Sequence, residues 1–367
     1  MIFPLKGNEY GLNSHGGNVS QEARRLGIKE NQILDASASL VPFSPPDSLN
    51  RYLVKALKGN SLRNYPDITY QSLKDAISNW HDIDPSMVLP GNGAAELLTW
   101  AARDASNKGT SALTTPGFTD YERALHCWNG KYVYVPLPLR WTPQRPQAFP
   151  LKPQSDVVWI TNPHNPTGQL WSRDSIEPLL KNHSLVICDE AFLSLVPEGE
   201  QESLIPLVRD HSNLIVIRSL TKLFAIAGLR LGYAISSAQR LHKWQSWRDP
   251  WPINGLATAA GLLLMSNKSV HDKWTNKIHN WLTKEGPWFQ KKLQDLPGIR
   301  SHPSSTNFQL IEGNKPLIEL RENLSRRKIL IRDCRSFIGL GDNWLRISLQ
   351  TRKNNLRIFS TMQDLLK

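Results

Sequence analysis

Ser219-Leu220-Thr221-Lys222, followed by Gly228-Leu229-Arg230-Leu231-Gly232-Tyr233, is the stretch from which the rest of the chain is read. A lysine stands just beyond the apolar run Leu214-Ile215-Val216-Ile217. Hydroxyls lie one and three residues before it, and an arginine lies eight residues after it. An amine so placed can condense with an aldehyde, while the hydroxyls and the guanidinium hold a phosphate dianion. Pyridoxal phosphate (PLP) is the common cofactor that combines the two groups. A surface Lys and Arg flanking a buried strand would give the same short pattern, so its meaning depends on what else the chain carries.

With 367 residues, 40% hydrophobic and 21% charged, the chain reads as globular and large enough for more than one folding unit. No run nears the ~18–20 apolar residues of a membrane span, and Met1 to Gly7 lacks the marks of a signal peptide. Three scattered cysteines, Cys127, Cys188 and Cys334, imply a reducing, cytoplasmic setting and no metal cluster. Cys188 sits in an apolar strand and reads as core. The net charge of +12 is dispersed, with short clusters such as Arg326-Arg327-Lys328. A solvated basic surface is the first explanation, an anionic substrate the second and nucleic acid a distant third. Neither a nucleic-acid nor a membrane partner is expected.

Apolar runs at 111–114, 132–135, 157–161, 185–188 and 214–217 read as buried strands. Helical patterns lie among them, including 94–105 and 172–181. Such alternation predicts an α/β fold with a mainly parallel sheet covered on both faces, and ligands at the carboxyl ends of its strands. The Pro-rich stretch 136–153 reads as a long surface connection. From about Asn280 a long helical stretch precedes strand candidates at 305–310 and 344–349, the pattern of a smaller α+β domain. The expected division is a large domain over residues 46–275 and a small one formed by 1–45 and 276–367.

Further pieces fall at the expected strand ends. Gly91-Asn92-Gly93-Ala94-Ala95-Glu96 opens a helix, where backbone N–H groups and the helix dipole suit a phosphate, although a plain glycine turn looks the same. Asp189 ends its strand and could pair with a protonated pyridine nitrogen, making the ring an electron sink; a helix N-cap aspartate is the alternative. Thr161-Asn162-Pro163-His164-Asn165-Pro166-Thr167-Gly168 follows another strand, and its two X-Pro units fix an extended turn. There Asn165 can donate to the cofactor's phenolic oxygen, and His164 is expected to face solvent. Phe118 could stack on the pyridine ring, though such aromatics are more often core. Tyr65, in Asn64-Tyr65-Pro66-Asp67, is uninformative alone. The signal is the order: glycine turn, aromatic, Asn-Pro turn, aspartate, lysine, arginine.

In that order the chain resembles the class I/II aminotransferases, the PLP-dependent transferases of fold type I, from about residue 10 to its C-terminus. Within them it looks most like the threonine-phosphate decarboxylases of cobalamin biosynthesis, with histidinol-phosphate aminotransferases next. The stretches that carry this are His15-Gly16-Gly17-Asn18, Asn64-Tyr65-Pro66-Asp67, Arg218-Ser219-Leu220-Thr221-Lys222, Trp251-Pro252-Ile253-Asn254 and Ile329-Leu330-Ile331-Arg332-Asp333-Cys334. The resemblance implies that Lys222 binds the cofactor covalently and that Asp189 pairs with the ring nitrogen. Gly93, Ala94, Ser219, Thr221 and Arg230 would hold the phosphate, Phe118 would stack, and Asn165 would contact the phenolic oxygen. Tyr65 would reach the neighbouring subunit's cofactor, implying a homodimer with shared active sites. His15, Gly16, Ser39, Asn165, Arg332 and Arg346 would line the place of a small anionic amino acid or amino phosphate. Two arginines suit a substrate with both carboxylate and phosphate.

Two departures stand out. Phe192 stands where many aminotransferases have tyrosine; the decarboxylases tend to have phenylalanine there, as this chain does. Ser39 and Val41, in Ser37-Ala38-Ser39-Leu40-Val41-Pro42, replace asparagines of the decarboxylases. The expected reaction is decarboxylation of O-phospho-L-threonine to 1-amino-2-propanol phosphate. A histidinol-phosphate type of transamination is the alternative, and a non-catalytic PLP-binding regulator is a remote third.

Overall fold

A computed structural model describes residues 16–367. In chain order the strands are β1 (Leu34–Ala36), β2 (Val88–Gly91), β3 (Ser111–Thr115), β4 (Tyr132–Pro136), β5 (Val157–Thr161) and β6 (Leu185–Asp189). They continue with β7 (Leu214–Ser219), β8 (Gly232–Ile235), β9 (Ile299–Ser301), β10 (Phe308–Gly313), β11 (Ile329–Asp333) and β12 (Trp344–Ser348).

Seven strands form one sheet in the order β2-β8-β7-β6-β5-β3-β4. Five neighbours, β7, β6, β5, β3 and β4, run parallel, and β8 is antiparallel to both β2 and β7. Val158, Ile160, Val186, Cys188 and Val216 face one side of this sheet, and Val157, Trp159, Leu185, Ile187 and Ile215 face the other. Both faces are covered, which is why these strands read as unbroken apolar runs. β4 departs from the expectation of a buried strand. It is the sheet edge, with Val133 47% and Tyr134 37% exposed.

The second sheet, β1-β11-β12-β10-β9, is antiparallel except for β1 against β11. Residues 34–36 thus pair with a strand nearly 300 positions away. The long helix begins at Lys268, earlier than expected, and runs to Gln294. Its N-terminus is fixed by Asn267, whose side chain accepts from the Val270 N–H. Trp274, Ile278, Leu282, Phe289 and Leu293 recur at helical spacing along its buried side. The expected helix over 172–181 is instead two short ones, Arg173–Ile176 and Leu179–Asn182, because Pro178 cannot continue the first. The expected strand at 305–310 begins only at Phe308.

Candidate active site

The carboxyl ends of β3, β5, β6 and β7 open onto a cavity of about 220 Å³ between the two sheets. Lys222 lies one turn beyond β7, half-buried in the cavity wall, its pKa pushed down to about 8 by burial and by the nearby cations Arg346 and Arg230. Asp189, at the end of β6, opposes that shift and lines the same cavity. Its Oδ1 accepts from the Ala191 N–H at 3.0 Å, and its Oδ2 accepts from the Tyr121 hydroxyl at 2.9 Å. Tyr121 also hydrogen-bonds the Thr161 hydroxyl at 2.7 Å. Since the tyrosine proton goes to Asp189, the Thr161 hydroxyl donates in that second bond. Burial raises the Asp189 pKa, while the Ala191 N–H, Tyr121 and Lys222 pull it down. The N-cap alternative does not hold, because a turn, not a helix, follows Asp189.

Ser219 and Thr221 share a hydroxyl–hydroxyl bond of 2.7 Å on one wall of the cavity, beside Arg230. The helix Gly93–Lys108 starts against them with Gly93 at φ +75°, a left-handed conformation that favours glycine. A Cβ there would stand 2.7 Å from the Arg230 Nη2. The two sequence stretches therefore meet in space and leave room only for backbone. Ala94 and Phe118 line the cavity nearby, with Phe118 set edge-on to Tyr121.

From the other sheet come Arg332 and Arg346, paired in register across β11 and β12 and both buried. Arg346 donates to the Asn165 Oδ1 and, at 3.3 Å, to the Ser37 carbonyl; its Nε has no hydrogen-bond partner. Burial and the neighbouring Arg332 push its pKa down to about 9. By accepting from Arg346, the Asn165 amide keeps its donor half for another group. Gly16 and Ser39 also line the cavity, and Ser39 lies 3.5 Å from the Ser348 hydroxyl. His15 lies outside the described residues. Phe192 lines the cavity with its ring 5.6 Å from the Lys222 Nζ, where it offers no hydrogen bond.

Other expected features fall elsewhere. Tyr65 is 77% exposed and packs against Trp251 with ring centroids 4.4 Å apart, and it does not line this cavity. Val41 is core, packed on one face of the large sheet. His164, expected to face solvent, is fully buried: the turn folds back on itself through the Gly168 N–H to the His164 carbonyl. Its ring bonds the Thr167 and Thr114 hydroxyls, and burial lowers its pKa to about 3, so it stays neutral. Sequence reasoning missed Tyr121. Its place three residues after Phe118 was the available signal, but its bond to Asp189 depends on β3 and β6 lying in one sheet.

A half-buried lysine in the cavity wall, a carboxylate facing it, a glycine turn beside hydroxyls and an arginine, and a donor amide fit PLP group by group. Among the described residues, no cluster of metal-binding side chains and no helix long and apolar enough to cross a membrane is present.

The family model for aminotransferase class I and II matches residues 26–361. The threonine-phosphate decarboxylase of Salmonella typhimurium is 30% identical over 96% of this chain and 96% of its own length. Histidinol-phosphate aminotransferase 2 of Pasteurella multocida is 27% identical over 96% and 94%. The crystal structure of histidinol-phosphate aminotransferase from Clostridium acetobutylicum superposes with a TM-score of 0.79 at 26% identity, covering 91% of this chain and 99% of that one.

Proposed function

The chain belongs to the class I and II aminotransferase family, and from that premise we propose that it is a PLP-dependent decarboxylase of O-phospho-L-threonine, yielding 1-amino-2-propanol phosphate and carbon dioxide. That it is a PLP-dependent enzyme, a decarboxylase or an aminotransferase, follows from the family and its relatives.

The observation that carries the finer reading is the side-by-side pair Arg332 and Arg346. A substrate with a carboxylate and a phosphate gives each guanidinium an anion, whereas histidinol phosphate brings only the phosphate. Arg346, whose Nε is buried without a partner, is assigned the carboxylate, and Arg332 the phosphate. Phe192 in place of a hydroxyl-bearing residue agrees with this reading.

When bound, PLP supplies the electron sink that stabilises negative charge at the substrate α-carbon. Lys222 would hold its aldehyde, Asp189 the ring nitrogen and Asn165 the phenolic oxygen. Gly93, Ala94, Ser219, Thr221 and Arg230 would hold the phosphate, with Phe118 against the ring. The protein's own task is orientation. The bond that breaks is the one held perpendicular to the ring, and the arginines decide whether that is the bond to the carboxylate or to hydrogen. Lys222 then holds the proton for the α-carbon; with a pKa near 8 its amine can both carry and release it. A homodimer is part of the reading. Tyr65 is exposed, outside its own chain's cavity and against the exposed Trp251, and Leu62 and Ile68, close to it in sequence, are exposed too, which supports its serving a partner's site.

The test is turnover of O-phosphothreonine by purified protein, with and without 2-oxoglutarate. Carbon dioxide release without the acceptor is expected. Glutamate formation from histidinol phosphate that requires the acceptor would favour the transaminase reading, which relatives such as the Pasteurella multocida aminotransferase keep in view.

A further inference from the structure

A second cavity, about 580 Å³, is larger than the reactive one and shares no residue with it. It begins at Gly168, three residues beyond Asn165. Its walls are residues 141–147 of the long connection, 168–170, 196–202, the stretch 282–290 of the long helix and 303–305 before β10. It is bounded by connecting segments and the long helix, outside the strands of either sheet.

The Trp141 indole and Pro143, Pro146 and Pro197 supply flat apolar walls. Trp141 is held in place by stacking on His302 at 4.8 Å and by donating its N–H to the Pro303 carbonyl at 2.8 Å. Its polar lining includes donors such as Arg145 and the Gln201 and Gln290 amides, but two acceptors stand out. Pro287 has no N–H to give the Thr283 carbonyl one turn back, and both residues line the cavity. Gln169, in the wall, is 5% exposed, and its Oε1 has no hydrogen-bond partner. That orientation is forced. The Gln147 Nε2 donates to the Thr142 and Gln144 carbonyls, so the Gln147 Oε1 accepts from the Gln169 Nε2, leaving the Gln169 oxygen over. Glu198 and Glu202 add two carboxylates against the single cation Arg145, in a chain whose net charge is +12.

We propose that this cavity is a second ligand site, for a cationic amine carried on a flat aromatic ring. The ring lies between Trp141 and the prolines, and the ammonium faces Glu198 and the helix-break carbonyl. A phosphate or carboxylate ligand is disfavoured by the same acceptors.

The probe is gramine, a tertiary indolyl amine that cannot condense with an aldehyde. It is titrated by calorimetry into the full chain loaded with PLP. We expect one gramine per chain, a raised thermal midpoint and an unchanged cofactor absorbance. Indole-3-acetate, the same ring with the opposite charge, should bind at least tenfold more weakly. Glu198→Gln should weaken gramine at least tenfold, and Thr283→Phe, which fills the cavity from an exposed helix position, should abolish binding. Neither residue touches the reactive cavity, so both variants should keep wild-type turnover. Absence of gramine binding, equal binding of indole-3-acetate, or affinity unaltered in both variants would overturn the proposal.

Discussion

Lys222 and Tyr121 are where single atoms decide the chemistry. The Lys222 amine must be neutral to attack an aldehyde, and its pKa is held near 8, below its ordinary 10.5. Capture of PLP by the apoprotein should therefore speed up as pH rises through about 8 and level off above it, as followed by the growth of visible absorbance. The same depressed pKa means that the folded chain binds fewer protons than the unfolded one between about 8 and 10.5. Through this group, stability should increase with pH across that window and be lost as pH falls through 8. Tyr121→Phe keeps the packing and removes the donor to Asp189. The fold should survive, while kcat falls roughly tenfold and the pH dependence of the cofactor spectrum shifts. A spectrum and kcat equal to wild type would show that Tyr121 does not position Asp189.

At the scale of elements, the site depends on the glycine turn that opens the helix Gly93–Lys108. Gly93→Ala places a methyl group against Arg230 at a positive φ. PLP affinity should drop more than tenfold, and the strained backbone should cost about 1–3 kcal/mol of stability; an unchanged dissociation constant would contradict this role. The turn was legible in the sequence because glycine has few reasons to stand where it does, and the inner strands were legible because burial on both faces leaves unbroken apolar runs. β11 was not read as a strand, although it carries Arg332, because only Ile329-Leu330-Ile331 is apolar before the charged Arg332-Asp333, and its partner β1 lies nearly 300 positions away. The helix split at Pro178 was missed because its apolar spacing continues on both sides of the proline. His164 looked like a surface residue because a turn is polar by composition, yet the β3 and β5 ends close over it. The order of lysine, aspartate and arginine was visible. Their convergence with Tyr121 and Ser37 was not, since it is set by strand order.

Across the whole molecule, a buried charge network underlies the lysine-bearing strand. Arg218 pairs with Glu190 at 2.8 Å and with Glu200 at 2.7 Å, and Glu190 also accepts from the Ser203 hydroxyl and the Leu204 N–H. Removing one partner leaves a desolvated charge. Glu190→Ala should thus destabilise the fold by about 3–5 kcal/mol in denaturant titration; a loss under 1 kcal/mol would refute that view. The assembled molecule makes one choice, between breaking the bond to the carboxylate and breaking the bond to hydrogen, and that choice leaves an isotopic record. Turnover of O-phospho-L-threonine in deuterium oxide without any 2-oxo acid, read by NMR, tests it most directly. Decarboxylation should keep the original α-hydrogen and add one solvent deuterium, so that every 1-amino-2-propanol phosphate carries a CHD group at C1 with release of one carbon dioxide. Exchange of the α-hydrogen for deuterium in substrate that keeps its carboxylate, with no carbon dioxide, would contradict the assignment.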